Sequence, residues 1–293
     1  MLKKAKAAVA LGTFDGLHKG HRKILNAALA TEELLPVAVT FIEPPKRYTS
    51  LEFVPILMSS ERKTELLMEM GFREIVTLDY KKVHNMTAKE FLDFLFSKYD
   101  VCLAVCGDNY RFGKGGMGDA AFLEEYCSNN GAKAMVFPME EAEGKVVSST
   151  LIRELITKGQ IAFANSLLYK PFSFKTEVIH GQQLGRKLGF PTINQLLDNQ
   201  LVTPRFGVYA SRVTVGGKKY AAVTNIGLRP TFKFSEPISE TYILDFSNEI
   251  YGQSVEVELL EFLREEKAFS DIEELKSAIL ADAEKARNIV KLN

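Results

Sequence analysis

The sequence predicts two domains, an open parallel α/β sheet followed by a small antiparallel β-barrel. Short β-branched segments alternate with helical patterns through the first half, whereas the second half passes from strand to strand with turns between them. The length supports two domains, because 293 residues exceed one ordinary small domain. We place the boundary at the segment LLYKP, which gives domains at residues 1–168 and 169–293.

In the first domain, each apolar segment is followed by an amphipathic one. The pairs are KAAVALG and GHRKILNAAL, PVAVTF and SSERKTELLMEMG, EIVTL and TAKEFLDFLFSKY, and VCLAVCG and DAAFLEEYCSNNG, with AKAMVFP as the last strand. Thr87 and Glu90 form a predicted capping box, and Gly71 and Gly131 stand where helices end. This alternation favours parallel strands joined by crossover helices.

In the second domain, five segments alternate in the manner of strands: FSFKTEVIH, GVYASRVTV, KKYAAVTNIG, ETYILDF and SVEVELLEFL. Gly216 and Gly217 predict a tight hairpin. We interpret HGQQLGRKLGFPTINQ as a long loop between the first two strands, and a closing helix is expected from Ser270, with Glu273 as its capping partner. The pattern is that of a small antiparallel barrel.

The amino-acid composition indicates which classes of binding partner to expect. With 37 basic and 37 acidic residues the formal net charge is zero, and no segment approaches the ~20 apolar residues of a membrane span, so small molecules are expected rather than nucleic acid or membrane. Weak self-association is left open. Cys102, Cys106 and Cys127 contain no CxxC pair and indicate reduced thiols in the cytoplasm, the first two buried on one face of a strand.

The stretch LGTFDGLHKGH follows the first predicted strand directly. Ligands bind at the carboxyl ends of strands in such sheets, and the next helix directs its free N–H groups there. His18 and His21, three residues apart, can face the same way and donate hydrogen bonds to a phosphate. Asp15 could anchor the turn, while close backbone approach is expected at Gly12, Gly16 and Gly20. A glycine-rich turn with incidental histidines and a zinc site are the alternatives.

Two later stretches point to the same chemistry. VSSTLIREL combines hydroxyl donors and a cation at a helix start, through Ser148, Ser149, Thr150 and Arg153. CGDNYRFGKGGMGD follows another predicted strand and carries Asp108, Asn109, Arg111 and Phe112. Alone, the first is a plain helix cap and the second a solvated loop. Together with the histidine stretch, they indicate a nucleotide site.

These three motifs resemble those of the HxGH nucleotidyltransferases, specifically the adenylyltransferase module of the prokaryotic bifunctional riboflavin kinase/FAD synthetases. The resemblance implies a Rossmann-like α/β domain in which FMN phosphate attacks the α-phosphorus of ATP. His18 and His21 would then hold the ATP phosphates, and Asn109 would contact the flavin and the reacting phosphates. Ser149, Thr150 and Arg153 would steady pyrophosphate, Phe14 would contact ATP and Phe112 the flavin. Pro44 stands where the family usually has a histidine, and Val146 where it usually has a basic residue.

The barrel half carries a second candidate phosphate site. The loop segment that includes Gly185, Arg186 and Lys187 leads into the FPT corner, where backbone and hydroxyl groups converge. Glu240, at the start of a strand, could take a proton from an alcohol. The alternatives are a long barrel loop and a solvated glutamate. Asn225 and Arg229 are interpreted as turn residues. The segments GRKLGFPTIN, GVYA, NIGLRPTF, ETYILDF, YGQ and FLREEKAFS resemble the riboflavin kinase module of the same family.

This second resemblance implies a six-stranded Greek-key barrel with a C-terminal helix. Gly185 and Arg186 would bind ATP phosphates, Thr192 and Asn194 magnesium-ATP, and Arg264 the flavin. Glu240 would activate the riboflavin hydroxyl toward the γ-phosphate, and Tyr242 replaces a frequent histidine. The expected function is therefore synthesis of FMN from riboflavin and ATP, then of FAD from FMN and ATP. Two alternatives stay open, retention of only one activity and a non-catalytic flavin-binding regulator.

Overall fold

The computed structural model describes residues 4–181, 185, 188–230 and 235–290. Packing divides the chain into two units, Met1–Leu151 and Ile152–Asn293, and the division falls inside a helix. The boundary expected at residue 169 stays a prediction. Within the described ranges, no helix combines the length and apolar composition that crossing a membrane requires.

The first unit contains a five-stranded sheet. Its strands are β1 (Lys6–Leu11), β2 (Leu35–Phe41), β3 (Glu74–Leu78), β4 (Asp100–Gly107) and β5 (Lys133–Phe137). Neighbouring strands are parallel, in the order β3-β2-β1-β4-β5, which confirms the predicted Rossmann-like α/β class. The chain builds outward from β1 on one side and then from β4 on the other. The carboxyl ends of β1 and β4 therefore flank the crevice where ligands bind in such sheets.

Helices connect these strands as the alternating pattern predicts. They are α1 (Lys19–Leu29), α2 (Lys46–Thr49), α3 (Ser60–Met70), α4 (Tyr80–Val83), α5 (Ala88–Lys98) and α6 (Ala120–Asn129). A short hairpin of β6 (Glu141–Ala142) and β7 (Lys145–Val146) precedes α7 (Ser149–Thr157), and α8 (Ile161–Leu167) follows. The capping box of Thr87 and Glu90 is confirmed, with both of its hydrogen bonds formed.

The expectation for the two cysteines of β4 is only half right. Cys106 is fully buried in a core formed with Leu92, Leu95 and Leu123, whereas Cys102 is half-buried. The pairing with β1 shifts register here, because Ala7 and Ala8 of β1 pair with Val101 and Leu103, which leaves Cys102 as the extra residue of a bulge. A bulge changes the direction in which a side chain points, and strict alternation could not show it.

The second unit contains the predicted antiparallel barrel. Its strands are β8 (Ser173–Glu177), β9 (Thr192–Leu196), β10 (Gly207–Val215), β11 (Lys218–Pro230), β12 (Ser235–Ile243) and β13 (Ser254–Arg264). The order is β8-β13-β10-β11-β12-β9, so β13 inserts between β8 and β10 as in a Greek key. A bridge between Ile179 and Asn194 brings the first and last strands of this order together, and the barrel is nearly closed.

Three local predictions in this unit are corrected. The interpreted long loop includes residues 192–195, which lie in β9. Asn225 and Arg229 lie within β11 rather than in a turn, because that strand continues to Pro230. The last helix, α9 (Ile272–Ile289), has Asp271 as its N-cap instead of Ser270, since the Asp271 carboxylate accepts the Glu274 N–H at 2.8 Å.

Helix α9 covers one outer face of the barrel. Its small buried residues, Ala283 and Ala286, pack with Val290 against Val208 and Val223 of the strands. The barrel also buries a hydroxyl chain, from Ser211 to Thr224 at 2.7 Å and from Thr224 to Thr241 at 2.9 Å. Successive strand residues point to opposite faces, so the strand residues that contact α9 alternate with residues that point into the barrel.

Candidate functional site

The histidine stretch forms the turn between β1 and α1. His18 is the N-cap of α1, and its Nδ1 accepts the His21 backbone N–H at 3.5 Å. The two imidazole rings stack with centroids 3.6 Å apart and an interplanar angle of 21°. The Phe14 ring meets the His21 ring edge-on at 5.4 Å. The sequence therefore predicts correctly that the two histidines face the same way.

The turn has little spare room. A Cβ added to Gly12 would lie 2.6 Å from the Phe14 ring, so a larger residue would displace that ring from His21. Phe14 and Leu17 both adopt positive φ, at 50° and 45°. Such backbone is costly for non-glycine residues and persists only where surrounding contacts hold it.

Asp15 anchors this turn, as the sequence suggests. It is 3% exposed, and its carboxylate accepts the Leu57 N–H at 2.9 Å. The Asp15 carbonyl accepts the Ser149 hydroxyl at 2.8 Å, which ties the start of α7 to the turn. Ser148 caps that helix by accepting the Leu151 N–H at 3.2 Å. The histidine and serine motifs, 134 residues apart in sequence, are therefore joined.

His21 lies in surroundings that oppose protonation. Burial, His18 and Lys63 together hold its pKa well below the usual value. Within the described part of the chain, Nδ1 of His21 and Nε of Arg22 are buried without a hydrogen-bond partner. Unpaired buried polar atoms are costly, so their presence at a helix N-terminus is typical of a site that a polar ligand completes.

Lys63 is a residue of this site that sequence reasoning missed. It is 3% exposed on α3, and its Nζ donates to the Phe41 carbonyl at 2.6 Å and to the Thr13 carbonyl at 3.2 Å. A signal was present, because Lys63 shares a helical face with the buried Leu66 and Leu67. A lysine on an apolar face indicates a buried cation with a specific task.

The remaining predicted residues of the first site are distributed more widely. Asn109 follows β4, across the crevice from the β1 turn, and its side-chain amide donates to Met139 Sδ at 3.2 Å. Gly16, Gly20 and Thr150 lie in the expected turn and helix starts. Arg153 lies one turn into α7, beyond the division between units. Phe112 is 5% exposed within the core, so its role in flavin binding stays a prediction.

The second site is a single row of neighbours across five strands of the barrel. Strand register pairs Asn194 with Glu240, Glu240 with Asn225, Asn225 with Val208, and Val208 with Arg264. Paired residues in antiparallel strands share a face, so the whole row lies on the face that α9 covers. The register thereby brings together the predicted Asn194, Glu240 and Arg264, which lie far apart in sequence.

This row lines a cavity of about 330 Å³, a size suited to a small organic ligand. Gly185, Thr192, Asn194, Glu240, Tyr242 and Arg264 contribute from the barrel, and Leu275, Ile279 and Asp282 from α9. Arg264 is oriented by Asp282, with Nε donating to the carboxylate at 2.9 Å. Arg186 and Lys187 lie outside the described residues.

Asn225 is a second residue of functional interest that sequence reasoning assigned differently. It lines the same cavity, and its amide nitrogen donates to the Glu266 carboxylate at 3.0 Å. That bond fixes the amide orientation, and among the described atoms Oδ1 of Asn225 is buried without a partner. An acceptor of this kind costs stability unless a ligand donates to it.

A second cavity of about 260 Å³ lies on the other side of Thr192 and Asn194, which line both cavities. Gly181, Phe246 and Tyr251 complete its wall. A Cβ on residue 181 would lie 2.5 Å from the Asn194 amide, so only glycine lets the chain pass there. Two ligands could therefore meet at Thr192 and Asn194.

Comparison with known proteins finds a separate family model for each half of the chain. Residues 2–151 match the family model for FAD synthetase, and residues 168–290 match that for riboflavin kinase. The bifunctional riboflavin kinase/FMN adenylyltransferase of Bacillus subtilis (strain 168) is 33% identical, with 97% of this chain and 92% of the relative covered. That of Escherichia coli (strain K12) is 34% identical, with 96% and 92% covered.

A solved structure from Streptococcus pneumoniae, described as a macrolide-efflux protein, has the same fold over the whole chain. It is 31% identical with a TM-score of 0.88, and covers 97% of this chain and 94% of its own.

Proposed function

The chain belongs to the bifunctional riboflavin kinase/FMN adenylyltransferase family, and from this premise we propose that it phosphorylates riboflavin to FMN and adenylylates FMN to FAD. The observation that carries the proposal is that each unit assembles its own phosphate-type site: the stacked histidines in the first, and Glu240 between Asn194 and Asn225 in the second. The family resemblance of the sequence motifs supports the same assignment.

In the kinase reaction, riboflavin occupies the cavity beside Glu240 and ATP the cavity beside Gly181. Glu240 accepts the proton of the hydroxyl that attacks the γ-phosphorus, because it is the carboxylate of the row, between Asn194 and Asn225. Thr192 and Asn194, shared by both cavities, bind where the two substrates meet. Positioning of this kind accounts for most of the catalysis in phosphoryl transfer.

Thr192 and Asn194 would also hold magnesium with ATP. The fit rests on their chemistry, a hydroxyl and an amide oxygen that line the same cavity as Gly181. Magnesium prefers oxygen ligands and takes few of them from protein. It would neutralise charge on the transferring phosphate.

In the adenylyl transfer, His18 and the neutral imidazole of His21 donate hydrogen bonds to the ATP phosphates. Ser149 and Thr150 at the start of α7, together with Arg153, steady the departing pyrophosphate. No covalent enzyme intermediate is needed, since FMN phosphate attacks the α-phosphorus of ATP directly. Asn109, across the crevice, orients the FMN phosphate.

We place the enzyme in the cytoplasm. All three cysteines are free, and burial raises the pKa of the Cys106 thiol to about 12 and that of Cys127 to about 11, so neither reacts readily.

Incubation with riboflavin, ATP and magnesium, followed by chromatography of the flavins, tests the proposal. We expect FMN and then FAD. His21→Ala should stop FAD formation while FMN accumulates, and Glu240→Ala should stop FMN formation while supplied FMN is still converted to FAD. His84→Ala and Glu236→Ala, at exposed positions, serve as matched controls.

The alternatives have distinct results in the same assay. FMN without FAD in the wild-type protein would leave a kinase alone, and FAD only from supplied FMN would leave an adenylyltransferase alone. Flavin binding without turnover would indicate a regulator and refute both activities.

A further inference from the structure

Lys63 connects the two strands that border the first site. Thr13 follows β1, and Phe41 is the last residue of β2. The Lys63 ammonium donates to both of their carbonyls, and the Thr40 hydroxyl also donates to the Thr13 carbonyl at 2.8 Å. Backbone carbonyls at strand ends need a hydrogen-bond donor, either water or a side chain. Lys63 is 3% exposed, so its ammonium takes the place of water at these two carbonyls. One side chain therefore holds both chain segments from beneath.

The charges around Lys63 are few and specific. The β1–α1 turn contributes Asp15, whose carboxylate favours the protonated lysine. The same turn contributes His18, and α1 contributes His21, whose pKa is lowered first by burial and then by His18 and Lys63. On α3 itself, the nearby Arg62 is paired at the surface with Glu65 at 3.1 Å. Lys63 is thus electrostatically coupled to His21, one of the two histidines of the proposed phosphate site.

We propose that Lys63 is a positioning residue for adenylyl transfer. Its ammonium fixes the turn that carries the histidines, keeps His21 neutral and adds positive potential beneath the ATP phosphates. The inference rests on the proposed adenylyltransferase function of this unit. It assigns to α3 a part in the reaction that the sequence motifs do not contain.

The charge of this ammonium should be lost in mild alkali. Burial lowers the Lys63 pKa from 10.5 to about 8, only partly opposed by Asp15. Between about pH 8 and 10.5, Lys63 is protonated in the unfolded chain but has lost its proton in the folded protein. Its contribution to the free energy of unfolding therefore rises with pH across this range. Loss of adenylyl transfer in that window therefore cannot come from Lys63 weakening the fold.

Two substitutions separate the charge from the geometry. Lys63→Arg keeps a cation at all accessible pH values, and Lys63→Met keeps the length without charge or donors. Lys82→Met, at an exposed position on α4, is the matched control. Riboflavin kinase activity of the same chain reports on protein concentration, since its site lies wholly in the second unit, and circular dichroism reports on folding.

The measurement is kcat and KM for ATP and FMN in adenylyl transfer across pH 6.5 to 10 with full-length protein. We expect the wild-type rate to fall about tenfold per pH unit above about pH 8. In Lys63→Arg this alkaline fall should move up by more than one unit. In Lys63→Met, kcat should drop by about 10²-fold at every pH, with kinase activity unchanged.

An unshifted alkaline fall in Lys63→Arg, or a wild-type kcat in Lys63→Met, would overturn the inference. If Lys63→Met does not fold, Lys63→Arg still decides the question through its pH profile. Absence of FAD from the wild-type protein would instead refute the proposed function, so the two failures are distinguishable.

Discussion

At the scale of single residues, burial decides what the polar groups of this protein do. His21 would be an ordinary surface imidazole on an isolated helix, but burial and two neighbouring basic groups hold its pKa below the usual 6.5. It is therefore a neutral hydrogen-bond donor at physiological pH. Between its folded pKa and 6.5 the unfolded chain binds more protons, so this group adds stability as pH rises through that window and loses it on acidification.

Asn225 is the residue whose role the structure changes most. Asn225 lines the cavity, its Oδ1 is buried with no partner among the described residues, and its nitrogen is held by Glu266. We expect Asn225→Leu to weaken riboflavin binding about tenfold, because the ligand loses the acceptor that this oxygen provides. Fluorescence titration with riboflavin measures the change.

The control for this prediction is Asn199→Leu, an exposed position in the same unit. Titration with lumiflavin, which has the flavin ring but a methyl group in place of the ribityl chain, shows which part of the ligand Asn225 contacts. An affinity for riboflavin equal to that of the wild-type protein would show that Oδ1 faces no ligand.

At the scale of elements, strand register and one helix build the second site. Register places Asn194, Glu240 and Asn225 side by side on β9, β12 and β11. Helix α9 then closes the cavity from outside, and it can approach closely because Ala283 and Ala286 are small. The helix and the strands thus form opposite walls of one site.

A charge at the contact between helix and barrel should therefore damage both stability and kinase activity. Ala286 is fully buried, so Ala286→Asp places an unpaired carboxylate there and should cost more than about 3 kcal/mol of unfolding free energy. Ala281→Asp, on the exposed side of the same helix, is the matched control. Urea unfolding followed by circular dichroism measures the difference.

The KM for riboflavin should rise in Ala286→Asp at temperatures where the protein stays folded, because α9 lines the cavity. Equal unfolding midpoints for the two aspartate variants would contradict the packing described for this helix.

At the scale of the whole molecule, the chain carries two sites with different sets of residues. The histidine pair and its anchors lie in the first unit, and every residue that lines the two barrel cavities lies in the second. FMN produced at one site is a small soluble molecule that another protein molecule could bind. Neither reaction needs the other site to be active.

This independence predicts complementation between inactive variants. A mixture of His21→Ala and Glu240→Ala proteins should convert riboflavin to FAD, because each supplies the activity that the other lacks. Flavin chromatography of the mixture, with each variant alone as control, gives the result. A mixture that accumulates FMN without FAD, although Glu240→Ala alone converts supplied FMN, would mean that FMN must pass within one chain.

The sequence by itself determined the fold class, the order of most elements and the motifs of both sites. Those features are local: alternation, capping residues and glycines act within a few neighbours, as the confirmed capping box at Thr87 and the paired His18 and His21 illustrate. Where local signals were weak or broken, the predictions were wrong, as at the short strand β9 and the bulge beside Cys102.

Only the tertiary structure decided which distant groups share a site. The helical face of Lys63 indicates burial, but its partners are known only once the carboxyl ends of β1 and β2 are brought to it. Asn225 is interpreted as a turn residue until strand register sets it beside Glu240. The physical reason is that burial and desolvation depend on everything packed around a group. Those surroundings come from residues tens of positions away, which no local pattern contains.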